Sequence, residues 1–309
     1  MRLLVVGAGS VGGYFGARLA AAGRDVTFLV RPRRAAQIAD GITIRLGDED
    51  TVTPVKTLLV GEKSGVFDAV LLAVKAYQLE AAMDEIRAHV GADTLILPVL
   101  NGMKHMDTLR ARFGAERVIG GFAQIVTSLD ERGTIVDQGV FHTLVYGEWN
   151  GASSSRIRGL DRHLSGAGFD ARLSMQVQHE MWEKWAFLSS MAAITCLMAG
   201  DIGQVARTAG GTGFVEELFT EVSQVIAAAG QPLSEGFRSR TLAVLTDRVS
   251  TLTSSMFRDM KAGRPVEAEQ IIGDLIARGG ALGVRTPLLK SVMVRLQVYQ
   301  EQQSRSAGR

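Results

Sequence analysis

Cysteine is almost missing from this 309-residue sequence, and its scarcity is informative. The one thiol, Cys196, has nothing in the chain to pair with, so intramolecular disulfides are excluded as staples. Its neighbours Ile194, Thr195, Leu197 and Met198 are those of an inert buried thiol rather than a nucleophile, and a reducing cytoplasm is the expected compartment. An excess of either charge is also lacking. Lys and Arg number 34 against 32 Asp and Glu, and a net charge of +2 gives no general reason to expect nucleic acid or an anionic membrane as a partner. No apolar run approaches the roughly 20 residues of a membrane-spanning helix. The apolar stretch behind Arg2 breaks at Gly7, before the core of a signal peptide could form. His89, His105, His142, His163 and His179 show no paired spacing of metal ligands, so no metal site is expected. A Gly-x-Ser-x-Gly elbow is absent, which leaves a Ser/His/Asp triad without support. Internal repeats and low-complexity linkers are not evident either.

What is present begins at the N-terminus. Leu3 to Val6 form the continuous apolar run of a strand buried on both faces, followed at once by Gly7-Ala8-Gly9-Ser10-Val11-Gly12. A helical stretch with Leu19 and several alanines comes next, then Gly23 as its stop and a second strand at Val26 to Val30. Strand, glycine turn and helix in this order are the context a dinucleotide-binding fingerprint requires. Gly7 permits the tight turn, Gly9 the approach of a pyrophosphate, and Gly12 the close packing of helix on strand. Where the second strand ends, an NAD site usually has a carboxylate for the ribose hydroxyl. Here stands Arg31, followed by Pro32, Arg33 and Arg34. Guanidinium groups suit a 2′-phosphate, which makes NADPH the expected cofactor; a solvated basic loop is the other reading.

The hydrophobic share of 46% against 21% charged residues is enough for two packed domains. Up to about Glu148 short apolar segments alternate with helical patterns. Phe67 to Val74 and Thr94 to Leu100 read as strands, and Gln78 to His89 and Lys104 to Phe113 as helices, so a parallel sheet covered on both faces is expected. Val118 to Thr127, Gly133 to Gln138 and Phe141 to Tyr146 read as antiparallel additions to its edge, with Asp130 to Gly133 as a turn. A further helix runs to about Leu164. The strand signals stop near Met175, which places an α/β dinucleotide-binding domain at 1–175 and an all-helical domain at 176–309. The helical domain's expected helices are Gln176 to Ala199, Gly213 to Ala229, Ser234 to about Ser250, Val266 to Leu282 and Pro287 to Gln302.

Polar residues that could do chemistry are few, and each has a plain alternative. Lys75 and Asn101 follow buried strands, where a ligand crevice forms. A lysine past a strand is also an ordinary solvated charge, and Asn101-Gly102 an ordinary turn. Lys184 shares a helical stripe with Leu188 and Ala192, next to Trp182 and Trp185. It is either a lysine snorkelling to water or one whose pKa is lowered by burial, suited to donating a proton. Thr253-Ser254-Ser255 before Asp259 reads as a helix start, and Glu267 after Arg264-Pro265 as a first-turn carboxylate.

Taken together, Gly7-Ala-Gly9-Ser-Val-Gly12, Arg31, Val74-Lys75-Ala76, Leu100-Asn101-Gly102-Met103, Trp182-Glu-Lys184-Trp185, Thr253-Ser-Ser255-Met-Phe-Arg-Asp259 and Glu267 resemble the ketopantoate reductase (2-dehydropantoate 2-reductase) family over nearly the whole chain. The resemblance implies a Rossmann-type doubly wound sheet plus a helical domain, with the substrate between them. It implies NADPH-dependent reduction of a small-molecule 2-oxo acid to a 2-hydroxy acid, 2-dehydropantoate foremost. On this reading Lys184 protonates the carbonyl oxygen and Glu267 orients substrate and lysine. Ser255 and Asn101 bind substrate, while Lys75, Asn101 and Glu267 also border the cofactor held by Gly7, Gly9, Gly12 and Arg31. A homodimer is a further expectation. The family's lysine helix carries asparagines one and two turns beyond the lysine, and another follows the glutamate; here Leu188, Ala192 and Ile272 stand instead. Three lost amides predict a more apolar wall. Either other groups, such as Ser189 or Ser190, take over those roles, or the substrate is a different and less polar 2-oxo acid. A third reading is an NADPH-binding protein without catalysis.

Overall fold

The structure is a computed structural model and describes residues 1–307. Its contacts divide the chain into two compact units: Met1–Leu100 with His105–Gln178, and Asn101–Lys104 with the chain from His179 onward. In chain order the first unit's elements are β1 (Arg2–Val6), α1 (Ser10–Ala21), β2 (Asp25–Val30), α2 (Pro32–Gln37), β3 (Ile42–Leu46), β4 (Glu49–Thr53), β5 (Lys56–Leu59), β6 (Phe67–Leu72), α3 (Leu79–Ile86), β7 (Val90–Pro98), α4 (Lys104–Phe113), β8 (Gly120–Leu129), β9 (Ile135–Gly147), α5 (Ser155–Leu164) and β10 (Asp170–Leu173).

A five-stranded parallel sheet in the order β5-β2-β1-β6-β7 forms the centre of this α/β unit. The strand order reverses around β1, as in Rossmann-type doubly wound sheets, and the carboxyl ends next to that point are where such folds bind ligands. Leu3, Val5, Ala69, Leu71, Leu95 and Leu97 alternate along three strands and share one core with Tyr14, Phe15, Ala17 and Leu19 of α1. That helix is apolar on nearly every side, as one enclosed between layers must be.

Of the three β-rich segments expected at the edge of the parallel sheet, only the start of the first reaches it, Val118 bridging Ile96 of β7 in parallel rather than antiparallel sense; beyond that they build a second sheet, β10-β9-β3-β4, with β8 paired to β9. Two of the expected segments are one strand: β9 runs from Ile135 to Gly147, and the interruption near Gly139 is a bulge, where the register jumps between Ile125/His142 and Thr127/Asp137. The long strand leaves the second edge of β9 open, and β3 and β10 occupy its two ends. Ile42, Ile44, Ile135, Leu144 and Tyr146 bury their side chains with α1, so this sheet closes the opposite side of the same core.

The second unit is helical: α6 (Val177–Met198), α7 (Ile202–Ala206), α8 (Gly211–Ala228), α9 (Glu235–Leu245), α10 (Ser255–Lys261), α11 (Asp274–Ala281) and α12 (Pro287–Ala307). Val215, Leu218, Phe219, Val222, Val225 and Ile226 make α8 its centre. The Glu221 carboxylate accepts hydrogen bonds from the Leu288 and Leu289 amides at 2.9 and 3.1 Å and so caps α12 from another helix. The helix expected at Val266 to Leu282 is not regular. Residues Glu269–Gly273 form a π-helical turn that leads into α11. The helix expected to reach Ser250 stops at Leu245, and α7 and α10 are separate short helices. Among the described residues no helix is long and apolar enough to cross a membrane.

Candidate active site

In the first unit the glycine turn is shaped by the end of β6. The Ala73 amide donates to the Val6 carbonyl at 2.8 Å, which draws the two strand ends together. Gly7 has φ +94, and a Cβ on it would lie 2.7 Å from the Ala73 carbonyl oxygen. At Gly12 a Cβ would press on the Gly7 carbonyl and lie 2.8 Å from the Ala73 Cβ. Those two glycines are therefore required by packing. Gly9 differs: no atom lies within 4 Å of where its Cβ would be. It is also the N-cap of α1, with no side-chain hydrogen bond to the helix's first turn. An open approach and uncapped helix amides fit a pyrophosphate, and no carboxylate follows β2 to disfavour a 2′-phosphate.

The arginines after β2 divide the expected role. Arg31 is exposed and pairs with Glu85 of α3 at 3.0 Å. Arg34 faces inward, donating from Nε to the Ala8 carbonyl at 2.8 Å and from Nη1 to the Gly133 carbonyl at 3.0 Å. Arg34 thus buttresses the glycine turn, a positioning role that sequence reading grouped with phosphate binding. Lys75 is half-buried just past β6, and its backbone amide donates to the Gln78 side chain at 3.2 Å.

In the second unit the expected polar residues converge on Lys184. Its Nζ donates to Asn101 Oδ1 at 3.2 Å across 83 positions of sequence. Desolvation of the ammonium lowers its pKa to about 8, against the pull of the Glu267 charge, which raises it. The side chain is half-buried, and its ammonium is held by an amide oxygen. Glu267 lies just before the first helical residue rather than inside the first turn, and its carbonyl accepts from the Ile271 amide at 3.1 Å. Trp185 fixes the arrangement by donating its indole N–H to the Ile271 carbonyl at 3.1 Å, inside the π-helical turn. The Arg278 guanidinium lies over both Trp182 and Trp185, 5.6 and 5.8 Å from the ring centres, and pairs with Asp274 at 3.0 Å.

Gly102 is more than a turn residue. With φ +83 it lets the Asn101-Gly102 corner pack on the π-helical turn, where a Cβ would lie 2.7 Å from the Gln270 carbonyl oxygen. This is why Asn101–Lys104 group with the helices. Ser255 is the exposed first residue of α10. The capping residue is Ser254, buried, accepting from the Phe257 amide at 3.0 Å and bonded to Thr195 at 2.8 Å. Leu188 is half-buried, and Ala192 and Ile272 are buried. Ser189 and Ser190 do not replace the missing amides: both are fully buried and donate back to their own helix, to the carbonyls of Trp185 at 2.6 Å and Ala186 at 2.8 Å. Sequence reading missed Gln270 and the structural part of Trp185, because a π-helical turn has no compositional signature.

A cavity of about 580 Å³ in the first unit, between Arg87, Arg112 and Arg117, contains none of these residues. Arg112 pairs with Asp84, and Arg117 donates to the carbonyls of Gly91 and Phe113, so these two cations serve structure.

Comparison with known proteins agrees with both halves. The ketopantoate reductase PanE/ApbA family model matches residues 3–151, and its C-terminal counterpart matches residues 176–300. A Bacillus subtilis (strain 168) protein, the uncharacterized oxidoreductase YkpB, is 34% identical over 97% of this chain and 99% of its own. The crystal structure of 2-dehydropantoate 2-reductase from Geobacter metallireducens GS-15 is 27% identical, with a TM-score of 0.86 over 96% of this chain and 99% of that one. A ternary structure of D-mandelate dehydrogenase with NADH and anilino(oxo)acetate shares the fold at 20% identity, with a TM-score of 0.88 over 98% of this chain and 100% of that one.

Proposed function

The chain belongs to the ketopantoate reductase PanE/ApbA family of oxidoreductases, and from that membership we propose that it reduces a 2-oxo acid to the 2-hydroxy acid with NADPH, Lys184 supplying the proton. The observation that carries this is the state of Lys184, held by Asn101 with its pKa drawn down to about 8. A general acid works best with a pKa near the working pH, and a cation placed where an alkoxide develops stabilises the transition state more than the ground state. When bound, the dihydronicotinamide supplies a hydride to C2. The chain does the rest: Lys184 transfers a proton from Nζ to the carbonyl oxygen and regains one from water, while Glu267 keeps the lysine's pKa from falling further. Asn101 orients the ammonium, and Ser255 is proposed to contact the substrate.

NADPH is preferred in this proposal because Arg31 is exposed after β2 and no acidic residue follows that strand. The first substrate candidate is 2-dehydropantoate, from the family. A second reading, a less polar 2-oxo acid, is favoured by Leu188, Ala192 and Ile272 in place of amides. The D-mandelate dehydrogenase complex with anilino(oxo)acetate shows this fold serving another acid. The deciding experiment follows NADPH oxidation with 2-dehydropantoate and a panel of apolar 2-oxo acids. Fastest turnover of 2-dehydropantoate selects the first reading, and of an aromatic or branched acid the second. Tight NADPH binding without turnover of any acid removes catalysis. A cytoplasmic homodimer completes the proposal; a sedimentation mass of one 33.2 kDa chain would remove the dimer.

A further inference from the structure

Gln270 is the second residue of the π-helical turn, three positions beyond Glu267, and is only 8% exposed. Its amide nitrogen is buried and has no hydrogen-bond partner among the described residues. An unpaired buried amide is costly, and a leucine or methionine would fill the same space without that cost. Its surroundings are those of the proposed chemistry. The Asn101-Gly102 corner rests on this residue, and a Cβ on Gly102 would lie 3.7 Å from the Gln270 Cγ. Asn101 in turn holds the Lys184 ammonium. Leu188, Ala192 and Ile272 have no donors to offer, and the hydroxyls of Ser189 and Ser190 are used within α6.

The geometry points to Gln270 as a substrate-recognising residue: its Nε2 donates a hydrogen bond to a carboxylate oxygen of the 2-oxo acid whose carbonyl oxygen takes the proton from Lys184. This inference rests on the 2-oxo acid reduction proposed above. A 2-oxo acid carries its carboxylate next to the carbonyl that reacts, so a donor beside the lysine's partner discriminates acids from neutral carbonyl compounds. One amide replaces the three that Leu188, Ala192 and Ile272 do not provide.

The test compares a 2-oxo acid with its own methyl ester, using NADPH and the full-length chain as wild type, Gln270→Leu and Gln270→Asn. Gln270→Leu is expected to lower kcat/KM for the acid roughly 10- to 100-fold, mainly through KM, the usual worth of a hydrogen bond to a charged acceptor. The ester should change by less than about threefold, since it offers no charged oxygen. A merely structural role would move both substrates together, and equal losses, or no loss, overturn the assignment. Gln270→Asn keeps the amide but draws it back by one methylene, so it serves where the leucine variant does not fold; an unchanged acid-to-ester ratio in a folded asparagine variant also overturns it. Wild-type enzyme that turns over no 2-oxo acid at all sinks the underlying activity, an outcome distinct from turnover that ignores residue 270.

Discussion

The chemistry of Lys184 depends on two opposing effects, and they give different predictions. Desolvation lowers the lysine to about 8, and the Glu267 carboxylate opposes that shift. A general acid must be protonated, so kcat/KM for reduction is expected to fall above about pH 8 and the reverse oxidation to rise there. Removing the opposing charge with Glu267→Gln lets desolvation act alone, and the alkaline limb should move to lower pH; a limb that stays in place or moves upward contradicts the coupling. Stability follows the same proton. The folded lysine releases it near 8 while the unfolded chain holds it to about 10.5, so between those values the unfolded state binds more protons and this group's contribution to stability rises with pH. Lys184→Ala should abolish that rise and lower kcat by roughly two to four orders of magnitude, the ordinary worth of general acid catalysis. A kcat within threefold of wild type would remove the lysine from the mechanism.

Elements show what was legible in the sequence and what was not. The glycine turn could be read because each glycine answers a local demand: Gly7 and Gly12 against Ala73, and Gly9 toward open space. Lys184, Asn101 and Glu267 were legible as motifs, but local pattern alone could not join lysine and asparagine across 83 residues; only the family resemblance put them in one site. The second sheet escaped the reading because β4, Glu49–Thr53, is polar and largely exposed, and because the bulge at Gly139 made one strand look like two. The π-helical turn was invisible for a further reason. Nothing in Glu-Gln-Ile-Ile-Gly distinguishes a π-helical turn from a regular one, and the turn is held from outside by Trp185 and by the close approach of Gly102. Gly102→Ala is the direct probe of that approach. A left-handed φ and contact with the Gln270 carbonyl should together destabilise the protein by about 1–3 kcal/mol and displace Asn101 from the lysine. Thermal unfolding and kcat should therefore fall together; a stable, fully active variant would show that the corner does not position the acid.

For the whole molecule, ligand linkage tests the proposed cofactor without requiring a substrate. NADPH at 100 times its dissociation constant should add about 2.7 kcal/mol to stability, seen as a raised unfolding midpoint. NADH at the same concentration should add less, and Arg31→Ala should erase the difference while leaving the NADH effect intact. Equal stabilisation by both cofactors in the wild type would make Arg31 an ordinary surface cation paired with Glu85. The π-helical turn bears on the length of the chain as well. Each residue advances an α-helix by about 100°. Loss of a single residue within 269–273 would let the helix run on regularly, and α11 would swing by that angle while Glu267 stayed where it is. The Arg278 guanidinium would leave the two tryptophans and a different face would follow the acidic residue. Between relatives, a one-residue gap at this place is thus a change of direction, able to alter which side chains accompany the lysine without touching the lysine itself.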